Sequence, residues 1–213
     1  MPQPQSLETQ VFERPLNVVI LLYPEIEILD FAGPYEVFSV ATRVALRDGI
    51  TAHAPFQVTT VAASAQLLTA RYALRVQPDA DFDDDIACDI LIVPGGVIDQ
   101  PVNHPESLTW IRRQATRCGL LTSVCSGSLI LAKAGLLEGR QVTTHWSDID
   151  ELRADYPELE VVEDVPYVDG GDVITSAGIS AGIDMSLHIV ARLLGSEAGR
   201  LTARQMQYTW QDQ

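Results

Sequence analysis

Basic charge is scarce in this chain. Of its 213 residues 14 are basic against 29 acidic, the net charge is −15, and Lys133 is the single lysine. So acidic a surface is repelled by phosphate backbones and anionic lipid, so nucleic acid and membranes are not expected partners. Cysteine is scarcer still. Cys88, Cys118 and Cys125 make an odd count with no Cys-x-x-Cys spacing, which argues against a disulfide framework or zinc knuckle and for a reducing compartment. His53, His104, His145 and His188 include no i, i+4 pair, so no protein-built metal site is expected. No apolar run approaches the roughly 20 residues that cross a bilayer. Residues 1–15 hold Pro2, Pro4 and three glutamines, and they lack the basic flank and apolar stretch of a signal peptide. They are expected to form a flexible leader on a cytoplasmic protein. Residues 16–213 are then one domain, long enough to bury a full core.

What is present is a set of short apolar runs. Asn17 to Tyr23, Cys88 to Val93 and Leu120 to Val124 are aliphatic without alternation, as strands buried on both faces are. Pro55 to Ala63 predicts another strand, and Tyr72 to Val76 a short extended piece. Helices are expected from Pro34, placed in a first turn, to about Asp48, from His104 to Cys118, and from Ser126 to Ala134. A further helix, capped by Ser147 or Asp148, reaches Tyr156. Asp169-Gly-Gly-Asp172 signals a hairpin between Val161–Val168 and Val173–Ser176. Two helices close the chain, Ala181 to Leu194, with Met185, His188, Ile189 and Leu193 on its buried stripe, and Glu197 to Tyr208. Gln77 to Asp85 begins like a calcium loop, but Asp84 and Ile90 stand where glycine and glutamate are needed, which leaves an acidic loop. Strands alternating with helices predict a three-layer α/β sandwich around a mostly parallel sheet, flavodoxin-like, with its site at the carboxyl ends of the strands.

Three segments fall at those ends: Asp30, Pro94-Gly95-Gly96, and Cys125-Ser126-Gly127. In Ser123-Val-Cys125-Ser-Gly127 small residues stand two places either side of the cysteine, as a sharp strand-to-helix turn requires. Such a turn exposes the thiol at a helix start, where the dipole and free N–H groups favour thiolate. The Ser126 N–H would join one from Gly95 or Gly96 as donors to a developing anion. Cysteine is also a common small buried hydrophobe, and Cys88 and Cys118 are taken as such. Asp30 reads alone as a turn or capping aspartate. Beside Cys125 it would keep a proton, donate it, and then activate water. His145 reads equally as a site residue or a hydrogen-bonded structural one. No histidine stands directly after Cys125 and no His-x-Glu pair lies near the C-terminus, so a Cys-His-Glu triad is not supported.

These segments resemble the ThiJ/PfpI family of the class I glutamine-amidotransferase-like superfamily, over nearly the whole chain from Asn17 to Tyr208. The likeness is carried by Leu22-Tyr-Pro-Glu-Ile-Glu-Ile-Leu-Asp30-Phe-Ala-Gly-Pro34, Ile92-Val-Pro-Gly-Gly96 and Thr122-Ser-Val-Cys125-Ser-Gly-Ser-Leu129. Ala134-Gly-Leu-Leu-Glu-Gly139, Thr143-Thr-His-Trp146 and Thr175-Ser-Ala-Gly-Ile-Ser-Ala-Gly-Ile-Asp184 extend it. Within the family the resemblance is to isonitrile-hydrating lyases. It implies that Cys125 attacks the isonitrile carbon to give a thioimidate, and that Asp30 supplies a proton and helps water release an N-substituted formamide. Ser126 stands where a threonine is expected, keeping the hydroxyl. The resemblance further implies a homodimer with Glu36 near the interface or site rim, a small-molecule substrate and no organic cofactor. Two alternatives stand beside it. One is glyoxalase or deglycase chemistry on small carbonyls, disfavoured by Asp30 and Ser126 where that branch carries glutamate and histidine. The other is a ligand-sensing domain like those of AraC-type regulators, whose helix-turn-helix extension is not expected in a chain ending at Gln213. A redox role for Cys125 is a further option.

Overall fold

The structure, a computed structural model, describes residues 14–210; most of the expected leader lies outside the described residues. Strand β1 (Leu16–Leu21) runs into α1 (Ile28–Arg47) and then β2 (Phe56–Ala62). A small hairpin, β3 (Leu68–Thr69) with β4 (Arg75–Val76), precedes β5 (Ala80–Asp81) and β6 (Ile90–Val93). Helices α2 (Asp99–Asn103) and α3 (Pro105–Ala115) lead to β7 (Leu120–Val124), which turns directly into α4 (Gly127–Lys133). After β8 (Gln141–Val142), α5 (Ile149–Asp155) and β9 (Glu160–Val161) come the hairpin β10 (Tyr167–Asp169) and β11 (Val173–Ser176). Helices α6 (Ala181–Leu194) and α7 (Ser196–Gln205) end the described chain.

Seven strands form one sheet in the order β10-β11-β7-β6-β1-β2-β5. Every pairing is parallel except the hairpin of β10 with β11. Helices α1, α6 and α7 pack together over one face, and α2, α3 and α4 over the other. The central strands are therefore covered twice, and all four residues of β6 are fully buried. This is the flavodoxin-like sandwich expected from the unalternating apolar runs. Because β2 and β6 leave β1 on opposite sides, the sheet has its switch point between the ends of β1 and β6, the place at which sheets of this kind bind ligands.

Local departures from expectation have local causes. Helix α1 begins six residues before Pro34, because the Glu27 carboxylate accepts the Ile28 N–H at 3.1 Å and caps it there. Pro34 therefore lies inside the helix, and Asp30 belongs to its first turn rather than to a loop. The segment expected to be extended from Tyr72 starts as a tight turn, with Tyr72 (φ 53°) and Ala73 (φ 65°) left-handed. Neither Ser147 nor Asp148 caps α5 with its side chain; the His145 ring instead accepts the Ser147 N–H. His188 leaves the buried stripe of α6 and reaches Asp169, Nε2 to Oδ2 at 2.7 Å. The last helix stops at Gln205, and Tyr208 turns back to donate its hydroxyl to Asp184 at 2.8 Å. Removing that hydroxyl in Tyr208→Phe is expected to cost about 2 kcal/mol, the scale of a hydrogen bond to a charged group. Urea unfolding measures it, and an unchanged midpoint would show that the bond contributes nothing.

Candidate active site

Cys125 occupies the corner between β7 and α4 with φ 57°. Holding an L-residue left-handed costs roughly 1–2 kcal/mol, and the corner is braced to match. The Cys125 N–H donates to Ala177 O at 3.2 Å, and its carbonyl accepts the Thr144 hydroxyl at 3.0 Å and the Ser128 hydroxyl at 3.3 Å. Gly127 is required by packing, since a Cβ there would lie 2.0 Å from Val93 O at the end of β6. The small residue after the cysteine corner is thus what lets β6 and α4 touch.

Asp30 enters from α1 and is wholly buried. Its Oδ2 accepts the Gly95 N–H at 3.0 Å, and Oδ1 has no N–H or O–H partner among the described residues. The Cys125 thiol lies within hydrogen-bonding reach of this carboxyl. Burial lifts the Asp30 pKa to about 7; the Glu27 charge adds to this, while the Gly95 N–H, the thiol and Arg71 restrain it. Burial likewise pushes the Cys125 thiol up to about 12, with the Asp30 charge adding and the N–H groups of Ile179 and Ser126 opposing.

Those values correct two expectations. The sulfur is not in the open: Cys125 is only 8% exposed. Nor is thiolate its resting form, because desolvation outweighs the start of a helix seven residues long. The proton sits on sulfur, and the carboxyl is half-ionised near neutrality.

The glycine donors are corrected as well. The Gly95 N–H is spent on Asp30 and the Gly96 N–H on Ser126 Oγ at 3.1 Å, so neither is free for a developing anion. Their part is to tie the end of β6 to the carboxyl and the hydroxyl. A Cβ on Gly95 would stand 2.5 Å from Ser126 Oγ and 2.9 Å from Asp30 Oδ2. Ser126 adds its own N–H toward the sulfur.

The second N–H toward the sulfur comes from Ile179, which the sequence alone did not single out. Ile179 is left-handed too, at φ 44°, just before α6. The trace it leaves in the sequence is Gly178, where a Cβ would sit 1.9 Å from His145 Cδ2. His145 is thus a wall of this corner: its Nδ1 is 2.7 Å from Ser147 Oγ, and its ring lies against Gly178. Tyr23 is a further unforeseen neighbour, buried, with its hydroxyl on Pro94 O at 3.0 Å and its pKa raised by burial, then by the charges of Asp30 and Cys125. Glu36 is not brought in. It is exposed on α1, 3.5 Å from Arg43, with no contact to the Cys125 group among the described residues. No group of three metal-ligating side chains occurs among those residues.

Fold and corner together define a flavodoxin-like α/β protein with a cysteine in a strand-to-helix elbow, facing a buried carboxyl. Residues 16–192 match the model of the DJ-1/PfpI family, and the chain belongs to that family. It is 34% identical over 198 residues to the isonitrile hydratase of Pseudomonas putida, covering 91% of this chain and 78% of that one. It is 30% identical over 178 residues to the HTH-type transcriptional regulator CdhR of Pseudomonas aeruginosa, covering 83% of this chain but spanning only half of the regulator. Among solved structures, a ThiJ/PfpI family protein from Pseudomonas syringae superposes with a TM-score of 0.80 at 27% identity, covering all of this chain and 83% of that one.

Proposed function

We propose that the protein is an isonitrile hydratase-like lyase in which Cys125 is the nucleophile and Asp30 the acid–base group. The observation that carries this is the buried pair itself: a thiol and a carboxyl in hydrogen-bonding reach, both with raised proton affinities. An isonitrile carbon must receive both a nucleophile and a proton, and this pair holds both. Asp30 as carboxylate takes the thiol proton while sulfur bonds to the carbon, then passes that proton to the same carbon, leaving a thioimidate. Water adds next, with Asp30 taking one of its protons, and the carbon–sulfur bond breaks. One proton goes to nitrogen and one returns to sulfur, so isonitrile and water leave as an N-substituted formamide. A carboxyl poised near 7 suits both directions of transfer. The N–H groups of Ser126 and Ile179 hold the sulfur as its charge changes. The likeness to the Pseudomonas putida hydratase supports the substrate class. The same proposal includes a homodimer in the cytoplasm acting on a small molecule. No helix of the described residues is long and apolar enough to cross a membrane.

Protein given cyclohexyl isocyanide is expected to release the corresponding formamide, followed by chromatography. Cys125→Ala should lower kcat/KM by at least about 10,000-fold, the scale of losing a covalent nucleophile. Absence of formamide alongside consumption of methylglyoxal would transfer the proposal to small-carbonyl chemistry. The similarity to CdhR favours a ligand-sensing domain as the second reading. Thermal stabilisation by a small ligand without turnover would select it.

A further inference from the structure

Two cysteines lie at the other end of the sheet, outside the chemistry proposed above. Ile90 pairs with Leu120 in the parallel register of β6 and β7, so two residues back along each strand Cys88 comes beside Cys118. Their thiols lie within hydrogen-bonding reach of each other. Both residues are buried but keep a small exposed area, 6% each. Neither is held inside a strand: Cys88 precedes β6, and Cys118 follows the turn that ends α3. Their side chains can therefore rotate without breaking a ladder.

The pair is also asymmetric. The N–H groups of Cys118, Leu120 and Leu91 converge on the Cys118 sulfur, which lies 3.9 Å from Ala115 O. The Cys88 thiol and those N–H groups lower the Cys118 pKa against burial. The same contact raises Cys88, with burial and the neighbouring Asp89 adding and Arg117 opposing. Of the two thiols, Cys118 is thus the one that gives up its proton more readily.

We propose that Cys88 and Cys118 form a redox-active dithiol that small peroxides oxidise to an intramolecular disulfide. The Cys118 sulfur attacks a peroxide oxygen, the O–O bond breaks, and hydroxide leaves with a proton as water, giving a sulfenic acid. The Cys88 sulfur then displaces the hydroxyl from Cys118, forming the S–S bond and a second water. The two thiols lose two electrons and two protons, and hydrogen peroxide takes them up as two waters. Closing the bond brings the sulfurs from hydrogen-bonding separation to about 2.05 Å. It ties the turn after α3 to the lead into β6, one full strand away from Cys125. The thiols are reduced in the resting protein, so the bond records exposure to oxidant and a thiol reductant erases it.

The test uses the full chain as Cys125→Ala, which leaves only these two thiols. Native protein treated with hydrogen peroxide is expected to lose two hydrogen atoms in intact mass, to yield one peptide pair joining Cys88 to Cys118, and to revert with dithiothreitol. Cys118→Ser in the same background should give no joined peptides. The same mapping on the wild-type chain applies if the variant folds poorly. Oxygen added to either cysteine without a cross-link overturns the proposal. So do two thiols that stay free for alkylation after treatment.

Discussion

Asp30→Asn is expected to make the protein more stable and nearly inactive in the same step. Burial raises the Asp30 pKa from 3.8 to about 7. Between those values the native state holds a proton that the unfolded chain has released. The contribution of this carboxyl to stability therefore falls as pH rises through that window, and levels off above about 7. The full drop is about 4 kcal/mol, at 1.36 kcal/mol per pKa unit. Asparagine has no such proton to lose, and its amide oxygen still accepts the Gly95 N–H. The variant should thus be roughly 2–4 kcal/mol more stable than wild type at pH 8 and nearly equal to it at pH 4. Urea unfolding at the two values measures this, and parallel pH curves for the two proteins would sink it. Turnover of an isonitrile should fall by at least about 100-fold, the scale of a lost general acid–base.

Gly127→Ala should be the most damaging single-methyl change near the site. The added Cβ would meet Val93 O at 2.0 Å and Pro94 C at 3.0 Å, both main-chain atoms at the end of a buried strand. Neither can swing away as a side chain would, so β6 and α4 must separate, at a cost above about 3 kcal/mol. The displacement would carry Ser126 and Cys125 with it, so activity should fall further than the loss of folded protein explains. Gly139→Ala is the control. Its φ is +70° but nothing lies within 4 Å, so only backbone strain of about 1 kcal/mol is expected. Thermal melts of the two variants, with activity measured per folded molecule, separate steric from conformational cost. Equal melting losses would show that the corner is looser than its contacts imply.

The architecture was legible because the strands carry it redundantly. Runs such as Ile90–Val93 can be satisfied only by cover on both faces, and that implies a parallel sheet with helices on each side. The corner at Cys125 was legible for a similar reason, since Gly127 answers to a main-chain contact that admits no Cβ. Protonation was not legible. A helix start favours thiolate and burial opposes it, and which wins depends on solvent access created by α1, β6 and the segment before α6, all distant in sequence. The Gly95 and Gly96 donors were misjudged because an N–H in a loop has no address in the sequence. Asp30 and Ser126 happen to claim both. Ile179 escaped notice because it acts through its main chain, which every residue has. Pro34 misled as a helix-start signal, because Glu27 supplied a stronger one seven residues earlier.

The strands at the two borders of the sheet are short, two residues in β5 and three in β10. A border that brief presents few open main-chain groups, too few to template another chain in register. Growth by strand addition, the route to fibrils and to edge-joined assemblies, is closed at both sides. Association of copies through this seven-stranded sheet is then left to the helices and loops around it, where point substitutions leave the hydrogen-bonded ladder undisturbed.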